Sequence, residues 1–120
     1  MELNFFDLNN HTVAEAKSIE FRLDTARAAI ELMADVYYQG AHYLVLFEEN
    51  LMPDFFDLKT GVTGEILQQF STFQMKLVVI GNFEKFESES LQAFIKESNR
   101  GTQVAFVDSR EAAVDVISKA

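Results

Sequence analysis

The sequence predicts a single α/β domain: a mixed, mostly parallel sheet of about five strands with four helices, in the order β-β-α-β-α-β-α-β-α. Three short apolar runs bounded by turn residues, at 43–47, 77–80 and 104–107, are typical of strands buried in a parallel sheet. Between and after these runs the apolar spacing changes to the helical period. Strands that alternate with helices of this length imply right-handed crossovers and a parallel sheet.

The first 23 residues are predicted to supply two strands before this alternation begins. Residues 3–6 are typical of an edge strand. A second strand is expected between Val13 and Phe21, where residues 18–21 alternate between polar and apolar. Residues 24–120 then hold the β/α units, so that 1–120 form one domain.

Four segments carry apolar residues at helical spacing. In the first, Asp24 or Thr25 is expected to cap the helix and Gly40 to lie just past its end. The fourth opens with Asp108 and Glu111 at the spacing of a capping box. The expected apolar faces are Ala26, Ala29, Ile30, Met33, Val36 and Tyr37 in the first helix, Ile66, Leu67 and Phe70 in the second, Leu91, Phe94 and Ile95 in the third, and Ala113, Val116 and Ile117 in the fourth.

The composition argues against several classes of function. Ten basic against nineteen acidic residues give a formal net charge of −9. Nucleic acids and anionic membrane surfaces are therefore not expected partners, because both are bound mainly through lysine and arginine. The absence of cysteine excludes disulfides, thiolate nucleophiles and cysteine metal sites. No apolar stretch approaches the roughly 20 residues of a membrane span, and we expect a cytoplasmic protein.

The most informative stretch is residues 53–70, which read PDFFDLKTGVTGEILQQF. This stretch closely resembles a bacterial family catalogued as domain of unknown function 4180, whose members carry similar Phe-Phe-Asp-Leu, Thr-Gly and Gly-Glu-Ile-Leu-Gln segments. Residues 79–83 and 97–101 are also similar to that family, and Thr63 departs from the small residue expected at its position. The resemblance implies a fold and almost nothing about activity.

More distantly, the order of elements resembles the fold of sulfate-transporter and anti-sigma-antagonist (STAS) domains. In that fold the third strand leads to a loop whose Ser or Thr, at the start of the next helix, can be phosphorylated. The corresponding loop here has Lys59, Thr60 and Gly61 in place of the usual Asp-Ser-Ser-Gly. The resemblance thus implies Thr60 as a candidate phosphoacceptor, in a motif that departs from the pattern.

Parallel strands place the loops that follow them on one edge of the sheet, the usual ligand edge of α/β proteins. Residues 48–60, residues 81–88 and Asp108 are expected to gather there. The candidate binding residues are Phe55, Phe56, Asp57, Lys59, Thr60, Gly61, Thr63, Gly64, Asn82, Phe83, Phe86 and Asp108. The phenylalanines either form an exposed aromatic patch that anchors a partner or turn inward and pin the loops; for Phe55 and Phe56 we favour the inward orientation.

Residues 60–64 place two glycines and two hydroxyls at a predicted helix start. Unpaired N–H groups at such a position attract an anion or an acidic group. The simpler interpretation, which we favour, is that Thr60 or Thr63 caps the helix and the glycines let the chain turn. Neither a Walker lysine pattern nor a Gly-x-Gly-x-x-Gly motif is present.

The other polar groups predict no catalytic or metal site. The acidic residues of segment 48–57 lack the pattern of a calcium loop and are expected to be a solvated acidic loop. His11 and His42 have no partner at ligand spacing, so surface positions are expected. Tyr37 is expected on the apolar face of the first helix. Tyr38 is expected to point elsewhere, with its hydroxyl in water.

These observations favour a non-catalytic cytoplasmic regulatory or protein-interaction module without a cofactor, acting through the loop 50–64 and the neighbouring aromatic edge. The alternative is a small anion-binding or ligand-binding protein, or an enzyme, that uses the amides of residues 60–64. A third hypothesis is self-association into a homo-oligomer. A protein partner or a second copy of the chain is therefore expected, and neither a nucleic acid nor a membrane.

Overall fold

Five strands form one sheet in the computed structural model of the chain, which describes residues 3–20, 22–51 and 53–119. The strands are β1 (Leu3–Leu8), β2 (His11–Ala16), β3 (Tyr43–Phe47), β4 (Lys76–Ile80) and β5 (Val104–Val107), and they lie side by side in chain order. Strand β1 pairs antiparallel with β2, and the three remaining pairs are parallel. The predicted mixed, mostly parallel sheet is confirmed.

Four helices pack on the two faces of this sheet: α1 (Ala26–Tyr38), α2 (Val62–Thr72), α3 (Glu89–Arg100) and α4 (Arg110–Ser118). Because each parallel strand lies beside the one before it, right-handed crossovers put α1, α2 and α3 on the same face. Their apolar residues share a core with Leu44 and Leu77, whereas α4 packs against Val45 and Val78 on the opposite face. Within the described residues, no helix has the length and apolar character needed to cross a membrane.

The second strand lies earlier than predicted. Asn9 and Asn10 both adopt positive φ angles, 49° and 70°, and form a two-residue turn that pairs Leu8 with His11. The hairpin register therefore places β2 at 11–16, and residues 18–20 lie outside any strand. Phe21, the other end of the expected strand, lies outside the described residues.

Helix α1 begins and ends as the sequence predicts. Of the two candidate caps, Thr25 is the one used, since its hydroxyl accepts the Ala28 N–H at 3.0 Å. At the other end Gly40 has a φ of 86° and donates its N–H to the Tyr37 carbonyl, and Ala41 donates to the Val36 carbonyl. This is a Schellman ending, in which a glycine takes the left-handed position at little steric cost.

The buried faces of α1 and α4 are narrower than predicted. In α1, Leu32 is buried, whereas Ile30 and Tyr37 are 38 % and 55 % exposed. Ile30 and Tyr37 lie on the same side of the helix, next to the buried stripe centred on Ala29 and Met33. Because α4 lies alone on its face of the sheet, only its central stripe is covered, and the predicted core residue Val116 is 39 % exposed.

Polar contacts hold α4 to the β1–β2 hairpin. Ser109, and not Asp108, caps the helix by accepting the Ala112 N–H at 3.1 Å. Arg110 donates two hydrogen bonds, of 2.8 and 3.1 Å, to the nearly buried carboxylate of Glu15. That hydrogen-bonded carboxylate raises the pKa of Arg110. At the far end of the helix, the Asn9 amide donates to the Ser118 carbonyl at 2.6 Å.

Candidate functional site

The loops that follow β3, β4 and β5 gather at one edge of the sheet, as predicted. The three strands are parallel and in register, with Phe47 beside Ile80 and Ile80 beside Val107. The Gly81 N–H extends the last ladder by donating to the Val107 carbonyl at 2.9 Å. We call this edge the rim, and it consists of residues 48–60, residues 81–88 and Asp108.

Most of the rim phenylalanines turn inward. Phe55, Phe56 and Phe83 are buried, and only Phe86 of the four candidates keeps part of its ring exposed. The ring of Phe56 stacks on that of Phe86 with centroids 5.0 Å apart and meets the edge of Phe55 at 5.2 Å. Phe83 packs edge-on against Phe106 of β5. The inward-turned rings thus attach the loops to the core, as the inward orientation favoured for Phe55 and Phe56 implies.

The three polar candidates of the β3–α2 loop bond within the loop itself. The Asp57 carboxylate accepts the Lys59 N–H at 3.2 Å. The Thr60 hydroxyl lies 2.9 Å from the carbonyl oxygens of both Asp54 and Asp57, and it accepts the Val62 N–H at 3.2 Å. Thr60 is exposed, but its hydroxyl already holds the turn before α2.

Neither predicted threonine is the N-cap of α2. The cap is Gly61, whose φ of 79° lets the chain turn into the helix. Thr63 is buried and donates its hydroxyl to the Phe55 carbonyl, which explains how a hydroxyl is tolerated where a small residue is expected. Gly64 lies in the first turn, exposed, with open space where a Cβ would stand.

Glu48 is the main rim residue that the sequence analysis did not single out. Its side chain is only 12 % exposed and forms a 2.7 Å ion pair with Lys85, while its Oε1 accepts the Asn82 N–H at 2.9 Å. Gly81 passes so close that an added Cβ would lie 2.8 Å from the Cβ of Glu48. The expected solvated acidic loop is therefore wrong for Glu48, which joins the β3 exit to the β4 exit.

Asn50 is a second rim residue whose role the sequence did not indicate. It is fully buried, and its Oδ1 accepts the Phe47 N–H at 2.8 Å, while its Nδ2 donates to the Ser18 carbonyl at 2.8 Å. Its own carbonyl accepts the Leu23 N–H at 2.6 Å. Asn50 thus ties the rim to the segment between β2 and α1.

Three shallow depressions mark the rim surface. The first, of about 330 Å³, is lined by Arg22, Phe56, Lys85 and Phe86 among others. The second and third are each of about 480 Å³. One of these lies between Asn82 and Asp108, and the other between the β3–α2 loop and the start of α3, lined by Asp57, Lys59, Ser88 and Ser90 among others.

The described part of the chain presents no buried polar side chain that requires a ligand. None of its buried side-chain nitrogen or oxygen atoms lacks a hydrogen-bond partner. Nor does it contain a group of three or more histidine and acidic side chains arranged to hold a metal ion. His42 is exposed, and His11 packs against the Tyr43 ring with centroids 5.1 Å apart.

The rim is strongly acidic. Its segments contain seven acidic residues and two basic ones, and one of the two, Lys85, is already paired with Glu48. The depression that Phe56 and Phe86 line is itself balanced in charge, since Arg22 and Lys85 line it together with Glu48 and Glu49; the excess of acidic residues lies elsewhere on the rim.

Comparison with known proteins identifies a family. The model of a family described as a domain of unknown function, DUF4180, matches residues 8–117. No curated protein matches the chain, and no solved structure matches it, so the more distant resemblance to STAS domains stays a prediction. Because the match spans nearly the whole chain, from the last residue of β1 through β5 and into α4, the chain belongs to the DUF4180 family.

Proposed function

We propose that the chain is a cytoplasmic, non-catalytic regulatory module that binds a partner protein at its rim. The observation that carries this proposal is that the rim phenylalanines mostly turn inward and that the depressions between the loops are open to solvent. A surface without a deep polar cavity suits docking of a macromolecule better than enclosure of a small molecule, because small-molecule sites bury most of their ligand.

The charge and the aromatic rings of the rim indicate the chemistry of the partner. Seven acidic residues against two basic ones favour a basic partner surface, since complementary charges speed association and suppress other partners. The depression beside Phe86 and Phe56 offers an anchor for one apolar side chain at the centre of such an interface. We therefore propose a basic segment with a single apolar anchor as the ligand.

Site-specific photo-crosslinking in the native cells tests this proposal. A photoreactive residue at Glu84, which is exposed on the rim, is compared with one at Thr102, which is exposed at the opposite edge of the sheet. We expect one defined protein to be captured from position 84 and not from position 102. Equal capture from both positions, or none at 84, would refute the proposed surface.

Charge reversal supplies the quantitative part of the test. With the captured partner purified, Glu84→Lys together with Asp57→Lys should weaken binding about tenfold or more, since each reversal places like charges together at the interface. Raised salt should weaken binding of the unsubstituted chain as well. Turnover of a substrate by the purified chain, lost on substitution of Asp57 or Thr60, would contradict the non-catalytic assignment.

One observation supports the alternative function, in which the start of α2 binds an anion. Among the described residues, the backbone N–H groups of Thr63 and Gly64 have no acceptor. Sulfate titration followed by amide NMR shifts decides between the two: saturable shifts centred on these two residues would favour the anion site. Gly61→Ala is a poor variant for this purpose, because the φ of 79° at Gly61 strains any other residue.

A further inference from the structure

A second surface feature lies on the opposite edge of the sheet from the rim. It is an apolar groove of about 250 Å³ between the C-terminal half of α4 and the first residues of β4 and β5. The groove exists because α4 has only nine residues and leaves Ala105 of β5 only partly covered. Tyr43, Val78, Ala105 and Val116 supply much of its apolar lining.

The charge in this groove is opposite to that of the rest of the molecule. Among the described residues, two lysines, Lys76 and Lys119, line it and no acidic residue does, in a chain with a net charge of −9. Lys119 is already paired with Asp115 at 2.9 Å. Lys76 has no ion pair within the described residues, and its ammonium lies 5.7 Å from the centroid of the Tyr43 ring.

We propose that this groove binds a small hydrophobic monocarboxylate, with its apolar part against Ala105 and Val116 and its carboxylate at Lys76. One ammonium without an ion pair among the described residues matches one negative charge, and the apolar wall beside it offers contact to the uncharged part of the ligand. A cavity of about 150 Å³ already accommodates benzene, so 250 Å³ has room for a ring or a short alkyl chain that carries a carboxylate.

A titration of the full chain with benzoate and with hexanoate, followed by amide NMR shifts, tests the site. We expect saturable shifts at residues 101–105 and 116–119, while the rim amides stay in place. Benzyl alcohol and hexanol have similar shapes without the charge, and they should bind at least tenfold more weakly, because a charge-assisted hydrogen bond is lost.

Two substitutions locate the charge. Lys76→Met keeps a long apolar stem and should lower benzoate affinity about tenfold or more with little change for benzyl alcohol. Lys96→Met removes an exposed lysine of α3, outside the groove, and should leave both affinities unchanged. Thermal unfolding of each variant confirms that the fold is intact.

Three results would overturn the proposal. The first is equal binding of the acid and the alcohol, and the second is an equal loss in the two lysine variants. The third is a Kd for benzoate weaker than about 10 mM, the affinity that its heavy atoms give at an ordinary efficiency of about 0.3 kcal/mol each. None of these three results depends on crosslinking at the rim. A failure of the groove proposal can therefore be distinguished from a failure of the proposed function.

Discussion

Gly81→Ala is the substitution whose effect follows most directly from the geometry of the rim. A Cβ at position 81 would lie 2.8, 2.9 and 3.0 Å from the Cβ, Cγ and Cδ of Glu48. The Cβ of Glu48 is fixed by the backbone, so rotation of the side chain cannot remove the closest contact. The backbone at Gly81 or at Glu48 therefore has to shift, and the Glu48 side chain moves with it or rotates away.

The cost has two sources. Overpacking of this kind typically costs about 1–3 kcal/mol, and displacing the Glu48 carboxylate from the Asn82 N–H loses a charge-assisted hydrogen bond worth about 1.5–3 kcal/mol. The ion pair with the half-exposed Lys85 adds little after solvent screening. Because one movement causes both losses, they are not additive, and we expect the free energy of unfolding to fall by about 2–4 kcal/mol.

Equilibrium urea unfolding measures this change, with Gly101→Ala as the matched control. A Cβ at Gly101 would approach only the Ser98 carbonyl, at an ordinary 3.6 Å, so its effect should stay within about 0.5 kcal/mol. In a Glu48→Ala background, two of the three close contacts disappear and the cost of Gly81→Ala should fall by about 1 kcal/mol or more. Equal costs for the two glycines, or no coupling to Glu48, would refute the reasoning.

Four further substitutions give expected changes in the same unfolding assay. Gly64→Ala should raise the free energy of unfolding by about 0.5–1 kcal/mol, because the added methyl meets open space in the helix; a decrease would show that the helix start needs glycine. Phe55→Ala should lower the free energy of unfolding by about 3–5 kcal/mol, because Phe55 is buried. Phe86→Ala should lower it by clearly less, because Phe86 is partly exposed. Asn99→Ala removes two side-chain hydrogen bonds, of 2.7 and 3.2 Å, to the backbone of Phe106 on the free edge of β5. It should cost about 1 kcal/mol and promote concentration-dependent association in light scattering, since it exposes an edge strand.

The sheet could be predicted from the sequence because burial of both faces leaves a local signature. Each central parallel strand is covered by helices on one face and at least partly on the other, so its residues are apolar without alternation. The run 43–47 became β3 and the run 104–107 became β5 with the predicted bounds. The hairpin was missed although its signal was present: Asn-Asn is a pair that tolerates two successive positive φ angles.

The organisation of the rim could not be predicted, because it depends on contacts between residues far apart in the sequence. Glu48 bonds to Asn82, 34 residues later, and Asn50 bonds to Ser18, 32 residues earlier. In the sequence, Glu48 is one of several acidic residues in a polar loop, and nothing local separates it from its neighbours. Only the parallel register of β3 and β4, which brings Phe47 beside Ile80, makes it the partner of the next loop.

The same topology separates the two surfaces proposed here. Parallel strands send their C-terminal ends to the rim and their N-terminal ends to the groove, so that β4 contributes Ile80 to one edge and Lys76 to the other. The rim is acidic and lined by stacked aromatic rings, whereas the groove is apolar and carries a lysine that has no ion pair with any described residue. Since β4 is a central strand with buried side chains throughout its middle, it is a rigid spacer between them. Substitution at one edge should therefore leave binding at the other unchanged, and any coupling between the two would require a shift of the whole strand or of α4.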